Sequence, residues 1–176
     1  MKSQRIPLGR ARRIAERIRK LFAPHCQRIQ IAGSIRRKKR DIGDVEIVCI
    51  PTAGIDLFGK SSGRNEFFLQ KSIPELGKRI KGDLYRGKYI QYLLPEGIKL
   101  DLFIADQKNY GLILAIRTGS ALYSHHVLAR GWVKAGYQSE NGYLRDRSGK
   151  MIDIPEEEDL FRLIGIPYIP PEARDR

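Results

Sequence analysis

The segment Asp44-Val45-Glu46-Ile47-Val48-Cys49-Ile50 constrains this chain more than any other. An extended strand sends alternate side chains to opposite faces, so Val45, Ile47 and Cys49 share one face while Asp44, Glu46 and Val48 share the other. One face is apolar and can be buried. The other carries two carboxylates pointing the same way.

Periodicity on either side of this strand predicts an α+β fold. Ahead of it, Ala11, Ile14, Ala15, Ile18, Leu21 and Phe22 recur at helical spacing, and Arg12, Arg13, Arg17, Arg19 and Lys20 fill most of the remainder, giving a basic amphipathic helix. Residues 28–32 alternate as a short strand leading into Gly33. Beyond it, residues 52–64 are loop-like in their glycines and polar side chains, and a helix is expected over 65–76. Residues 81–85, 88–94 and 98–104 read as strands, the last two joined through Pro95-Glu96-Gly97, so a mixed or antiparallel sheet flanked by helices results. After Asp106 the pattern changes to a helix, a Thr118-Gly119-Ser120 turn and a second helix over 121–134. An Asn141-Gly142 hairpin and a closing helix over 156–164 behind Pro155 follow. This places a boundary near Gln107, dividing the chain into units 1–106 and 107–176.

The chain carries 33 Lys and Arg against 20 Asp and Glu, a formal +13, which suits a polyanionic partner such as nucleic acid. A merely soluble basic protein is the competing explanation. Cys26 and Cys49 lack metal-ligand spacing, which argues against a disulfide scaffold or zinc site. A charged N-terminus and the lack of an 18-residue apolar run argue against a signal peptide or membrane span, so an intracellular, soluble chain is expected.

The chemistry is concentrated in Gly33-Ser34-Ile35-Arg36-Arg37, followed after six residues by Asp44-Val45-Glu46. A turn opened by glycine and serine can offer backbone N–H groups and a hydroxyl to phosphate, and Arg37 can neutralise a triphosphate. Carboxylates at i and i+2 on one strand face can hold Mg²⁺, which takes oxygen ligands. A two-metal centre needs ions about 3.5–4 Å apart, so a third acidic group should arrive from a neighbouring strand. Asp101, inside Lys99-Leu100-Asp101-Leu102-Phe103, is the candidate; pairing with Lys99 or an arginine is the alternative.

These motifs resemble those of the family X DNA polymerases. Arg5-Ile6-Pro7, Gly33-Ser34-Ile35-Arg36-Arg37, Gly43-Asp44-Val45-Glu46, Leu100-Asp101-Leu102, Thr118-Gly119-Ser120, Glu158-Asp159-Leu160-Phe161 and Pro167-Tyr168-Ile169-Pro170 follow that family in order along nearly the whole chain. The resemblance implies a nucleotidyltransferase palm over 1–106 and a small α+β thumb over 107–176. It implies two Mg²⁺ ions held by Asp44, Glu46 and Asp101, with Mn²⁺ as a substitute, and dNTP and primer-template or gapped DNA as partners. Gly33, Ser34, Arg37 and Gly43 would contact the triphosphate, Thr118, Gly119 and Ser120 the sugar, and Lys99 the primer phosphate. Arg12, Arg13, Arg17, Lys38, Lys39 and Lys60 are further candidates for DNA contact. Short-gap repair synthesis by a monomer, without proofreading or lyase activity, is the expected function. The shortest viral members are the nearest in layout, and a viral or prokaryotic origin fits. Transfer to RNA or protein, or a DNA-binding module without activity, are the alternatives.

The chain departs from the family in several places. Glu46 stands where aspartate is usual, which bears on metal preference. Ile116 and Arg117 stand where aromatic residues discriminate the sugar, and Ser124 and Leu128 where the nascent pair is checked. Gly54 to Ser61 matches a phosphate-loop pattern, but Ile55, Leu57 and Phe58 do not suit a phosphate cradle. His125 and His126 point about 100° apart on a helix and are poor joint metal ligands. Tyr85, Tyr89 and Tyr92 are expected to pack rather than to serve a site.

Overall fold

A computed structural model of the chain describes residues 5–55 and 61–175. Helix α1 (Leu8–Phe22) buries Ala11, Ile14, Ala15, Ile18 and Phe22, the stripe that the periodicity predicts, and leaves Arg12, Arg13, Arg17 and Lys20 on its outer side. Strand β1 (Cys26–Ile31) follows, then the short helix α2 (Gly33–Arg36) and strand β2 (Asp44–Pro51). Strands β3 (Lys78–Lys81), β4 (Tyr89–Leu93) and β5 (Lys99–Ile104) complete a five-stranded sheet in the order β1-β2-β5-β4-β3. The sheet is mixed: β2 and β5 run parallel, while the other neighbours are antiparallel.

The alternation along β2 sorts the layers. Val45, Ile47 and Cys49 join Leu100, Leu102 and Ile90 on one face, against the apolar stripe of α1. Val48 and Phe103 lie on the other face, packed with Tyr110 and Leu114 of helix α3 (Tyr110–Thr118). A third cluster, around Leu112, Tyr123, Leu128, Trp132, Leu160 and Phe161, forms the core of the C-terminal unit. That unit also holds the antiparallel strands Gln138–Glu140, Tyr143–Arg145 and Met151–Ile152, and closes with helix α4 (Glu157–Leu163). Asn141 and Gly142, at φ 52° and 83°, make the predicted two-residue hairpin turn.

Several boundaries differ from those the sequence predicts, each for a local reason. The helix expected over 65–76 is an α-turn at Glu66–Leu69, after which Gln70 is already extended at φ −62°, ψ 126°, and a 3₁₀ turn at Pro74–Leu76, where Pro74 keeps Ile73 extended at φ −125°, ψ 110°. The strand expected over 81–85 ends at Lys81. There Gly82 takes φ 97°, and the Asp83 carboxylate accepts from the N–H groups of Tyr85 and Arg86 to make a turn. The helix over 121–134 forms, but its middle, Ser124–Ala129, is π-helical. The closing helix starts one residue late, because Glu156 and Asp159 form a reciprocal capping box.

Ion pairs join the two units. Glu157 receives both Nη groups of Arg36, at 2.9 and 2.6 Å, and Nη1 of the wholly buried Arg174. Arg28 grips Glu156 with two bonds of 2.8 Å while lying over the Tyr110 ring. Glu157 is buried and Glu156 exposed, so the two acids should differ in weight. Glu157→Ala strands two guanidinium groups and should lower unfolding free energy by about 3–5 kcal/mol. Glu156→Ala should cost about 1 kcal/mol for its exposed ion pair and as much again for the lost cap. Urea unfolding of both variants measures the difference.

Candidate active site

Pairing between β2 and β5 sets Asp44 beside Lys99 and Glu46 beside Asp101, and pairing between β4 and β5 sets Gln91 beside Asp101. Three carboxylates therefore share one face of two adjacent parallel strands. Asp101 does not pair with Lys99. Its Oδ1 accepts from the Tyr89 hydroxyl at 2.8 Å and from Gln91 Nε2 at 2.7 Å, and Tyr89 in turn stacks on Phe103. Tyr89, expected only to pack, thus touches the acidic cluster.

Glu46 reaches toward the turn before it. Gly33 has φ +61°, and a Cβ there would stand 1.8 Å from Glu46 Oε2, so both the backbone conformation and the space demand glycine. The Ala32 N–H donates to the Glu46 carbonyl at 2.8 Å and fixes the turn against the strand.

Burial and mutual repulsion govern the electrostatics. Asp44 is held above the usual carboxylate range by burial and then by Asp101, against the opposing charges of Arg37, Lys99 and Arg5. Glu46 is pushed from 4.5 to about 8 by burial, Asp44 and Asp101, and the opposing charges of Arg117 and Arg37 do not offset this. Arg117 lies over the Phe103 ring at 4.1 Å. Among the described residues, no three His, Cys, Asp or Glu side chains converge on one point as a ready metal cage. The carboxylates share a face, but Glu46 is turned toward Gly33 and Asp101 is tied to Tyr89 and Gln91.

The remaining predicted contacts gather along the seam between the two units. Arg37 donates from Nη1 to the Thr118 carbonyl at 2.7 Å and from Nε to Asp175 Oδ1 at 2.9 Å. Thr118 is fully buried, and its hydroxyl accepts from Arg36 at 2.7 Å. Ser120 caps the next helix by accepting from the Tyr123 N–H at 3.0 Å, and donates from its hydroxyl to the Asp175 carbonyl at 2.9 Å. At Gly119 a Cβ would meet Ser124 Oγ and Tyr123 Cδ1, both at 2.7 Å. The chain between α2 and β2 delivers Gly43 directly before Asp44, and Ser34 lies within α2 itself.

Of the candidate DNA contacts, Arg12 and Arg13 are exposed on α1. Arg17 instead pairs with Glu96 at 2.6 Å, Lys38 with Glu172 at 2.5 Å, and Lys39 with Asp175 at 2.6 Å. Lys60 and the interior of the phosphate-loop-like motif lie outside the described residues. His125 and His126 are exposed, with their rings edge to face at 4.9 Å. Sequence reasoning missed Tyr89, Gln91, Glu157 and Asp175. Gln91, polar in the middle of an apolar strand, is a readable signal; Glu157 and Asp175 carry none, since both act across more than 100 residues.

The raised Glu46 fixes a pH dependence. The folded chain holds this proton more tightly than the unfolded chain, so stability should fall as pH rises from 4.5 to about 8. Thermal melting in a chelating buffer should show that decline, and Glu46→Gln should flatten it.

Residues 113–175 match the family model described as DNA polymerase beta thumb. The chain is also 26% identical over 161 residues to DNA polymerase lambda of Rattus norvegicus, covering 81% of this chain but 28% of that relative. The chain thus spans under a third of the relative's length. The second match runs well past residues 113–175, over the strands that carry the carboxylates, and the chain is similar to family X DNA polymerases.

Proposed function

We propose that the chain transfers a nucleotide from a deoxynucleoside triphosphate to a DNA 3′-hydroxyl. One observation carries this reading: Glu46 and Asp101 sit side by side on adjacent parallel strands, with Asp44 on the same face, and burial and mutual repulsion raise Asp44 and Glu46. Such a group asks for cationic partners, and its all-oxygen donors suit hard divalent ions. Asp44, Glu46 and Asp101 would hold Mg²⁺ or Mn²⁺. Those ions supply Lewis acidity toward the phosphate oxygens and ease loss of the 3′-hydroxyl proton.

The chain's own residues do the rest. The 3′-oxygen bonds to the α-phosphorus, the bond from that phosphorus to the β-phosphate oxygen breaks, pyrophosphate leaves, and the hydroxyl proton passes to solvent water. Tyr89 and Gln91 fix the orientation of Asp101. Gly33 keeps its turn close to Glu46, where Ser34, Gly43 and Arg37 would receive the triphosphate, while Thr118, Gly119 and Ser120 support the sugar side. Lys99, beside Asp44, would approach the primer phosphate. Arg12 and Arg13 would engage the DNA backbone, whose binding carries no base information. Short-gap synthesis by a monomer is the role we assign.

Primer extension on gapped, recessed, nicked and single-stranded DNA, with RNA and protein acceptors as further arms, tests this reading. Extension of gapped or recessed DNA supports it, and turnover confined to RNA or protein acceptors overturns the substrate. Asp101→Asn should slow extension by about a thousandfold or more while preserving DNA affinity, as loss of a group that stabilises transition-state charge does. Retention of a tenth of the activity would remove Asp101 from that role.

Metal choice and salt dependence give two more outcomes. Mn²⁺ should support faster turnover than Mg²⁺, because Glu46 is one methylene longer than aspartate and Mg²⁺ is strict about geometry. Replacing Arg12 and Arg13 together with Ala should weaken binding to unrelated duplexes alike. It should also flatten the salt slope by about 0.9 for each phosphate that is no longer neutralised.

A further inference from the structure

The C-terminal segment crosses the seam where the triphosphate would lie. Asp175 places one carboxylate oxygen on Arg37 Nε at 2.9 Å and the other on Lys39 Nζ at 2.6 Å. The Arg37 guanidinium is nearly enclosed, with 11% of its side chain exposed, and its Nη1 is held by the Thr118 carbonyl. Its Nη2 makes no hydrogen bond among the described residues. Two of the three edges of one arginine are therefore fixed by acceptors from the C-terminal unit, and the third is left over.

The backbone of Asp175 is anchored. Ser120 donates from its N–H to the Arg174 carbonyl at 2.9 Å and from its hydroxyl to the Asp175 carbonyl at 2.9 Å. Arg174 is wholly buried against Glu157, with its guanidinium over Phe161 and Tyr168. This anchor keeps the Asp175 backbone at the seam, so its carboxylate stays within reach of both Arg37 and Lys39. A planar guanidinium held along two edges keeps a fixed direction for its remaining donors, and less freedom is lost when they bind.

We infer that Asp175 is a positioning residue for nucleotide binding. It holds Arg37 so that Nη2 is ready for a triphosphate oxygen, and it draws Lys39 to the same place. The inference rests on the assignment of Arg37 to the triphosphate.

The test is equilibrium binding of dATP with Ca²⁺ in the absence of primer, together with KM and kcat for extension of gapped DNA. Asp175→Ala should weaken dATP binding and raise KM by about tenfold, the worth of one hydrogen bond to a charged group, with kcat little changed. Asp175→Asn keeps an oxygen for Arg37 Nε and should recover most of the loss. In an Arg37→Ala background, the Asp175→Ala change should add little. Tighter dATP binding in Asp175→Ala would make the carboxylate a competitor and overturn the inference. So would a fall in kcat at constant KM, or equal loss in the Asn and Ala variants. If Arg37→Ala leaves dATP binding intact, the assignment of Arg37 fails, and the inference fails with it.

Discussion

Three carboxylates on one face of a sheet repel one another, and burial makes that repulsion stronger than it would be in water. The register of β2 against β5 makes the conflict unavoidable, because it places Glu46 and Asp101 as direct neighbours. The surroundings of the site read as responses to it. Gly33 leaves room for the Glu46 carboxylate, Tyr89 and Gln91 each donate to Asp101, and Arg37, Lys99, Arg5 and Arg117 bring positive charge toward the cluster. A purely structural sheet has no use for such a centre, since an apolar residue at any of the three positions would be easier to bury.

The junction of the two units follows the opposite logic. Arg28, Arg36, Arg37, Lys38 and Lys39 of the first unit meet Glu156, Glu157, Glu172 and Asp175 of the second. The pairs grade from exposed ones of small net weight to the buried Arg36–Glu157–Arg174 set, which cannot lose a member cheaply. Because α2 carries both Arg36 and the turn beneath Glu46, the position of the C-terminal unit is tied directly to the acidic face.

Much of this is legible in the sequence because short-range rules determine it. The alternation along residues 44–50 specifies the shared carboxylate face, the stripe in α1 its buried side, and Asn141-Gly142 the hairpin. The sheet's parallel pair, by contrast, is not legible, since strand order depends on long connections that no local pattern reports. The helix expected over 65–76 ends at Leu69, and Pro74 then keeps the residue before it out of a helical conformation. Lys38, Lys39 and Arg17 read as free cations, but each has an acidic partner distant in sequence. Tyr89 reads as a packing residue because a stacked tyrosine and a donor to Asp101 look alike in one dimension.

The central claim is that Asp44, Glu46 and Asp101 form one cation-binding centre, and counting bound ions addresses it without relying on turnover. Mn²⁺ titration followed by electron paramagnetic resonance, with and without dATP, reads the number of ions per chain directly. The account predicts that dATP raises the bound number to two and that Asp44→Asn or Glu46→Gln abolishes this gain. Equal binding by the wild-type chain and both variants would contradict it.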